Sequence, residues 1–190
     1  MKEGDFLGLR GPFGRGFTPS ENGLLIGGGI GIAPLRFLAH LLKREKMKPE
    51  LLFGVNSSSD LIFNAHYQGS PRCTLVSRDD SFPNQGFVTD FIEEIVEKRK
   101  IAKIFSAGPE GMLIKVREIA IRSGIPYELS LERYMKCGLG ICGQCCLDGS
   151  GLRLCVEGPV LAEKEISQIT ELGKPHRKAS GKRASTPRNF

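Results

Sequence analysis

Long apolar runs and tryptophan are what this 190-residue sequence does not have, and its opening does not read as a leader segment. No stretch approaches ~18 uninterrupted apolar residues, so nothing reads as a membrane-spanning helix. The opening Met1-Lys2-Glu3-Gly4-Asp5 holds no apolar core of a secretory signal. With cysteines read as ligands rather than cross-links, that points to the cytoplasm. Aromatics make up only 7%, and nothing resembles an aromatic-interleaved platform for RNA. Histidine is scarce as well. His40, His66 and His176 are the three, none stands beside a Ser or Cys nucleophile pattern, and each reads as solvated. No catalytic residue is singled out.

Acidic residues are missing from one place, the end of the chain. From Gly173 onward Lys174, Arg177, Lys178, Lys182, Arg183 and Arg188 meet no Asp or Glu. Setting those six aside leaves 21 basic against 21 acidic residues, so the whole net charge of +6 lies in the tail. Such a run reads as a solvated or partner-docking extension, with nucleic-acid binding the lesser alternative.

Cysteine is almost confined to one stretch: five of the six fall between Glu132 and Cys155. Cys137, Cys142, Cys145 and Cys155 fit Cys-x4-Cys-x2-Cys followed by a distant Cys, the plant-type [2Fe-2S] spacing. Two bridged irons need four thiolates converging from several directions. Gly138, Gly140 and Gly143 supply tight turns and let backbone N–H groups approach the sulfurs. A structural zinc module pairs one Cys-x2-Cys with another, and this stretch has a single short pair; a disulfide knot is the remaining alternative. Cys146 follows Cys145 directly, so in extended chain its side chain points the other way, and the spacing from Cys142 selects Cys145. Cys73, in an apolar run, reads as a buried strand residue.

Ahead of that stretch the chain alternates. Phe6 to Leu9 read as a short strand running into the turn-rich Gly11-Pro12-Phe13-Gly14-Arg15-Gly16-Phe17. Leu24 to Ile26, Leu51 to Val55, Cys73 to Ser77, Ile104 to Ala107 and Tyr127 to Leu129 read as strands. Helical patterns start at Pro34, near Asp60 to His66, from Phe87 to Val96, and around Met112 to Ile119. This predicts an α/β fold with a parallel five-stranded sheet. Ligands of such sheets sit at the carboxyl ends of strands. Two loops qualify there: Gly29-x-Gly31-x-x-Pro34, where a helix N-terminus meets a pyrophosphate, and Ser106-Ala107-Gly108-Pro109.

Four phrases, SLERYMKCGLGICGQC, LCVEGPV, GGGIGIAPL and GPFGRGF, together resemble the electron-transfer subunits of class B dihydroorotate dehydrogenases, in the ferredoxin reductase superfamily. The resemblance runs from about Gly11 to Val160. It implies a remnant or linker of an FAD-binding barrel at 1–19, an NAD-binding-type α/β domain at 20–130, a cluster domain at 131–172 and a basic tail at 173–190. It implies Cys137, Cys142, Cys145 and Cys155 as cluster ligands, and Gly29, Gly31, Pro34 and Gly108 at the nucleotide. It also implies FAD, NAD as acceptor, and an FMN-containing catalytic subunit as partner in a heterotetramer of pyrimidine biosynthesis. Two features depart from the family. Only 23 residues precede Leu24, whereas a six-stranded barrel needs roughly 50. The superfamily's Cys-Gly-Pro stands here as Ala107-Gly108-Pro109, which weakens hydride transfer to NAD. No Arg cluster follows the second strand, so NAD is expected over NADP. A gamma-type subunit of a hydrogenase or sulfur reductase shares the plan, and a zinc-stabilised nucleic-acid module is the rival from another class.

Overall fold

Strand propensity and period-two alternation build the centre of the molecule. The computed structural model describes residues 2–62, 67 and 71–182. Within them β1 (Gly23–Gly28), β2 (Glu50–Val55), β3 (Cys73–Ser77), β4 (Asn84–Gln85), β5 (Lys103–Ala107), β6 (Tyr127–Ser130) and β7 (Val160–Ala162) form one sheet in the order β4-β3-β2-β1-β5-β6-β7. All neighbours are parallel except β6 and β7.

The sheet therefore has seven strands, not the expected five. β4 is only two residues long, too short to leave a periodic signature. β7 comes from beyond the cysteine stretch and pairs Leu129 with Leu161 and Ser130 with Val160. Phe6 to Leu9 do not form the expected strand. No described strand offers them a ladder of hydrogen bonds, and Phe6 and Leu9 are exposed.

Alternation sends neighbouring side chains to opposite faces. On one face Leu25, Phe53 and Phe105 pack with Leu35, Leu38 and Leu42 of α1 (Ile32–Arg44). On the other, Leu24, Ile26, Leu52 and Ile104 pack with Ile92 of α2 (Ile92–Lys98) and with Leu113, Val116 and Ile119 of α3 (Glu110–Arg122). Each such side chain taken from water contributes about 1.5–3 kcal/mol. Pro34 is the third residue of α1 rather than the first. It still sits where helical N–H groups have no internal partner.

The second face does not stop at the sheet. Cys145, Leu147, Leu154, Cys155, Leu161 and Ile166, the last in α4 (Glu163–Ile166), belong to the same buried cluster. Near Asp60 only a 3-10 turn at Ser58–Asp60 is seen, and the rest of the helix expected to His66, with His66 itself, lies outside the described residues.

Candidate cluster loop and nucleotide edge

The chain from Cys137 to Cys142 turns at Gly138 and Gly140, which adopt φ values of +68° and +73°. Glycine is required there for space too. A Cβ on Gly138 would lie 2.5 Å from the Phe13 ring, and one on Gly140 would lie 2.7 Å from Val156. The GPFGRGF turn thus serves as the bed of this loop, and Arg10 adds a hydrogen bond to the Lys136 carbonyl at 3.1 Å. From the other side Arg153 donates to the Gly140 carbonyl at 3.1 Å while pairing with Glu157. That partner holds the Glu157 carboxyl well below the usual range, at about 2.

The backbone N–H groups of Leu139 and Cys142 both donate to the Cys137 sulfur, each at 3.4 Å. These bonds, with those from Ile141 and the Cys142 thiol, pull the Cys137 thiol down to about 6, with Cys142 N–H the largest cause. These hydrogen bonds favour the thiolate, the form that binds metal. Cys145 and Cys155 are each 3% exposed. Burial pushes the Cys145 thiol up, and Cys155 is its hydrogen-bonding partner. The four thiols thus fall into two pairs, Cys137 with Cys142 at the surface and Cys145 with Cys155 in the core. Among the described residues no three His, Cys, Asp or Glu side chains converge on one metal position.

Cys146 faces away from both pairs: its thiol donates to the Gly151 carbonyl at 3.2 Å. Cys73 lies in β3 but is only partly buried, and burial pushes its thiol up to about 12.

The second set of residues lies at the carboxyl edge of β1 and β5, where the sheet's chain order reverses. Gly29 has φ +54° and open space above it. A Cβ on Gly31 would lie 2.2 Å from the Ala107 carbonyl oxygen and 2.6 Å from the Gly108 nitrogen, so the two glycine loops touch. Met112 of α3 fills the space beside Gly28 and Gly108. Pro34 is exposed on the first turn of α1.

A buried polar network that sequence reasoning missed ties this edge to the cysteine loop. Arg133, whose side chain is 4% exposed, donates to Glu110 and Glu171, each at 2.9 Å. Glu110 opens α3 directly after the glycine loop, and it also meets His176 Nε2 at 2.7 Å. The described tail is exposed at Gly173, Lys174 and from Lys178 to Lys182, but it is held to the body at His176 and Arg177. Arg177 pairs with Asp148 at 2.9 Å and the Lys178 carbonyl accepts from Gln144 at 2.8 Å.

A parallel nucleotide-type sheet with two glycine loops at its reversal point, sharing its core with a four-cysteine loop, defines an iron–sulfur electron-transfer module of the reductase class. The family model "iron-sulfur cluster binding domain of dihydroorotate dehydrogenase B" matches residues 132–167, and "oxidoreductase NAD-binding domain" matches residues 25–118. The probable dihydroorotate dehydrogenase B (NAD(+)) electron transfer subunit of Methanocaldococcus jannaschii is 40% identical over 96% of this chain and 72% of its own length. That of Methanothermobacter thermautotrophicus is 40% identical over 96% and 69%. A solved structure of an NADH-dependent reduced ferredoxin-NADP oxidoreductase superposes with a TM-score of 0.73 at 32% identity, covering 87% of this chain and 62% of that one. The chain belongs to the family of dihydroorotate dehydrogenase B electron transfer subunits.

Proposed function

We propose that this chain relays electrons between an FMN-containing dihydroorotate-oxidising subunit and a nicotinamide dinucleotide, holding a [2Fe-2S] cluster on Cys137, Cys142, Cys145 and Cys155. The observation that carries the reading is the division of the four thiols into two pairs. Two irons bridged by sulfide take two thiolates each, whereas a single tetrahedral zinc draws four ligands to one point. Bound there, the cluster passes one electron at a time between carriers that exchange two.

The residues around the loop have distinct tasks. The N–H groups of Leu139 and Cys142 stabilise anionic sulfur at the outer pair. Arg153 and Phe13 hold the turns at Gly140 and Gly138. Leu139 and Ile141, 69% and 81% exposed, present an apolar face beside that outer pair. This is the surface we assign to the catalytic partner, in a heterotetramer. At the sheet edge we place a dinucleotide's pyrophosphate over the open space at Gly29, beside exposed Pro34 and the close-packed Gly31 and Gly108. The division into a nucleotide unit at 20–130 and a cluster unit at 131–172 is supported by two family models that match residues 25–118 and 132–167. β7 and the shared core join the units into one body. FAD is the flavin we expect at the junction with the GPFGRGF turn. No described helix is long and apolar enough to cross a membrane.

The test is the visible spectrum of anaerobically purified protein, before and after dithionite, with released flavin and iron assayed on the same sample. Broad bands that bleach on reduction, with about one FAD per chain, are the expected result. The same bands without flavin leave a relay to an acceptor other than NAD, and a colourless protein overturns the reading.

The likeness to hydrogenase domains shows the fold alone: the Pyrococcus furiosus hydrogenase domain is 22% identical.

A further inference from the structure

We propose that residues 178–182 form a cationic hairpin which, with Arg10 and Lys136 at the start of the cysteine loop, makes the face around Leu139 and Ile141 a seat for an acidic surface of the dihydroorotate-oxidising subunit. The inference rests on the partner reading of that face given above and deepens it: the partner is steered and oriented by charge, not held by apolar contact alone.

The hairpin is fastened before it turns. The Gly173 N–H donates to Glu110 at 2.5 Å, and His176 Nε2 meets the same carboxylate at 2.7 Å. Arg177 donates to the Cys146 carbonyl at 3.3 Å and to Asp148 at 2.9 Å. Beyond these ties the Lys178 N–H donates to the Lys182 carbonyl at 2.8 Å, and the Gly181 N–H donates to the Lys178 carbonyl at 2.9 Å. Gly181 makes the turn with φ +83°. The Lys178 carbonyl also accepts from the Gln144 side chain at 2.8 Å. Gln144 stands between Cys142 and Cys145, so the hairpin is seated on the cysteine loop itself. Lys178 and Lys182 are both exposed there.

The start of the loop carries the same sign. Lys136 is exposed, and its carbonyl accepts from Arg10, whose guanidinium lies over the Phe13 ring beneath Gly138. Between Lys136 and Gln144 the chain presents exposed Leu139 and Ile141. From Arg133 to Leu147 the sequence has no Asp or Glu. Acids close by are already engaged: Asp148 with Arg177, Glu157 with Arg153, and Glu110 and Glu171 with Arg133. Among the described residues no ion pair takes up Arg10, Lys136, Lys178 or Lys182.

This pattern selects the partner's chemistry. Like charges held beside an exposed apolar pair repel one another in the free chain and become favourable against an anionic surface. A protein interface has an apolar centre and a polar rim, so the matching face is apolar at its middle and acidic around it. Charge of this kind raises the rate of encounter and fixes the register of docking, which an electron relay needs more than a long-lived complex.

The experiment measures association of the full chain with the dihydroorotate-oxidising subunit of the same organism by biolayer interferometry, at about 50 and about 300 mM salt. The on-rate should fall by about tenfold or more across that range, and Lys178→Glu combined with Lys182→Glu should lower it by about tenfold at the lower salt. Lys100→Glu, at an exposed lysine outside the loop, should change it by less than about twofold. The visible spectrum of each variant shows whether the cysteine loop is intact. An on-rate indifferent to salt or to the double charge reversal overturns this inference alone: the cations then serve the loop's own thiolates, and the partner reading stands on Leu139→Glu breaking the complex. No association by a chain with an intact spectrum overturns both. Tighter binding of a single-stranded DNA oligonucleotide than of the subunit, lost in the double variant, assigns the hairpin to nucleic acid and likewise overturns the inference.

Discussion

The two pairs of thiols are held by different forces. Cys145 and Cys155 sit in the hydrophobic core with Leu147, Leu154 and Leu161, and their positions follow from packing against the sheet. Cys137 and Cys142 sit at the surface on a glycine-turned loop, held by N–H bonds to sulfur and by the outside grip of Phe13, Arg10 and Arg153. One pair is anchored to the fold and the other is offered to solvent beside exposed Leu139 and Ile141. If the four thiols hold the proposed cluster, the difference teaches how such a centre is made both stable and reachable. Burial fixes one half, and polar backbone contacts leave the other open to a partner.

The strongest way to break that comparison is to replace the thiols singly. Cys155→Ser should abolish the visible absorbance and the bound iron, because it puts a weaker ligand and a hydroxyl into the core. Cys142→Ser, at the exposed pair, should alter the bands while retaining a larger share of iron. Cys146→Ser should leave the spectrum unchanged, and equal loss from Cys155→Ser and Cys146→Ser would sink the choice of Cys145.

The network under the loop comes next. Arg133→Met strands Glu110 and Glu171 without their buried cation, and urea denaturation should record a loss of about 3–5 kcal/mol. If stability holds, the two acids have found other partners and the network does not join the nucleotide edge to the cysteine loop.

At the glycine loops Gly31→Ala should cost about 1–3 kcal/mol, since the added methyl meets the Ala107 carbonyl. Gly29→Ala tests backbone conformation without that clash, and the size of the gap between the two, read by thermal melting, separates crowding from strain.

The smallest effect is expected at Glu165. Burial alone would raise its carboxyl, but the Ala162 N–H and Arg15 outweigh that and leave it below the usual range. A carboxyl lowered on folding stabilises above its unfolded value, about 4.3, and the contribution is lost as pH falls through the folded value. Glu165→Gln should therefore cost less than about 1 kcal/mol at neutral pH. It should also flatten the dependence of stability on pH below about 5.

The parts of the fold legible in advance were those with local periodicity. The Leu35, Leu38 and Leu42 stripe marks α1, and the strand from Cys73 to Ser77 lies where its apolar run ends. The parts that were not legible pair distant residues. β7 has three residues and no periodicity, and only its antiparallel partner β6 makes it a strand. The ties of the tail at His176 and Arg177 were not legible because no acid follows Gly173. Glu110 and Asp148 reach it from 66 and 29 residues away. Arg78 and Lys115 meet on Phe87 for the same reason: a loop after β3 and the middle of α3 become neighbours only when both lie along one edge of the sheet.

By itself the sequence determined the alternation of strands and helices, the places where glycine must stand, and the spacing of four thiols. These follow from side-chain period, backbone freedom and ligand geometry, all local properties. The tertiary structure alone decided that the thiols divide into a buried and an exposed pair, that the tail is tied to Glu110, and that two cations share one aromatic ring. Those depend on which surfaces the packed sheet brings together, and burial and charge pairing act between residues that chain order keeps apart.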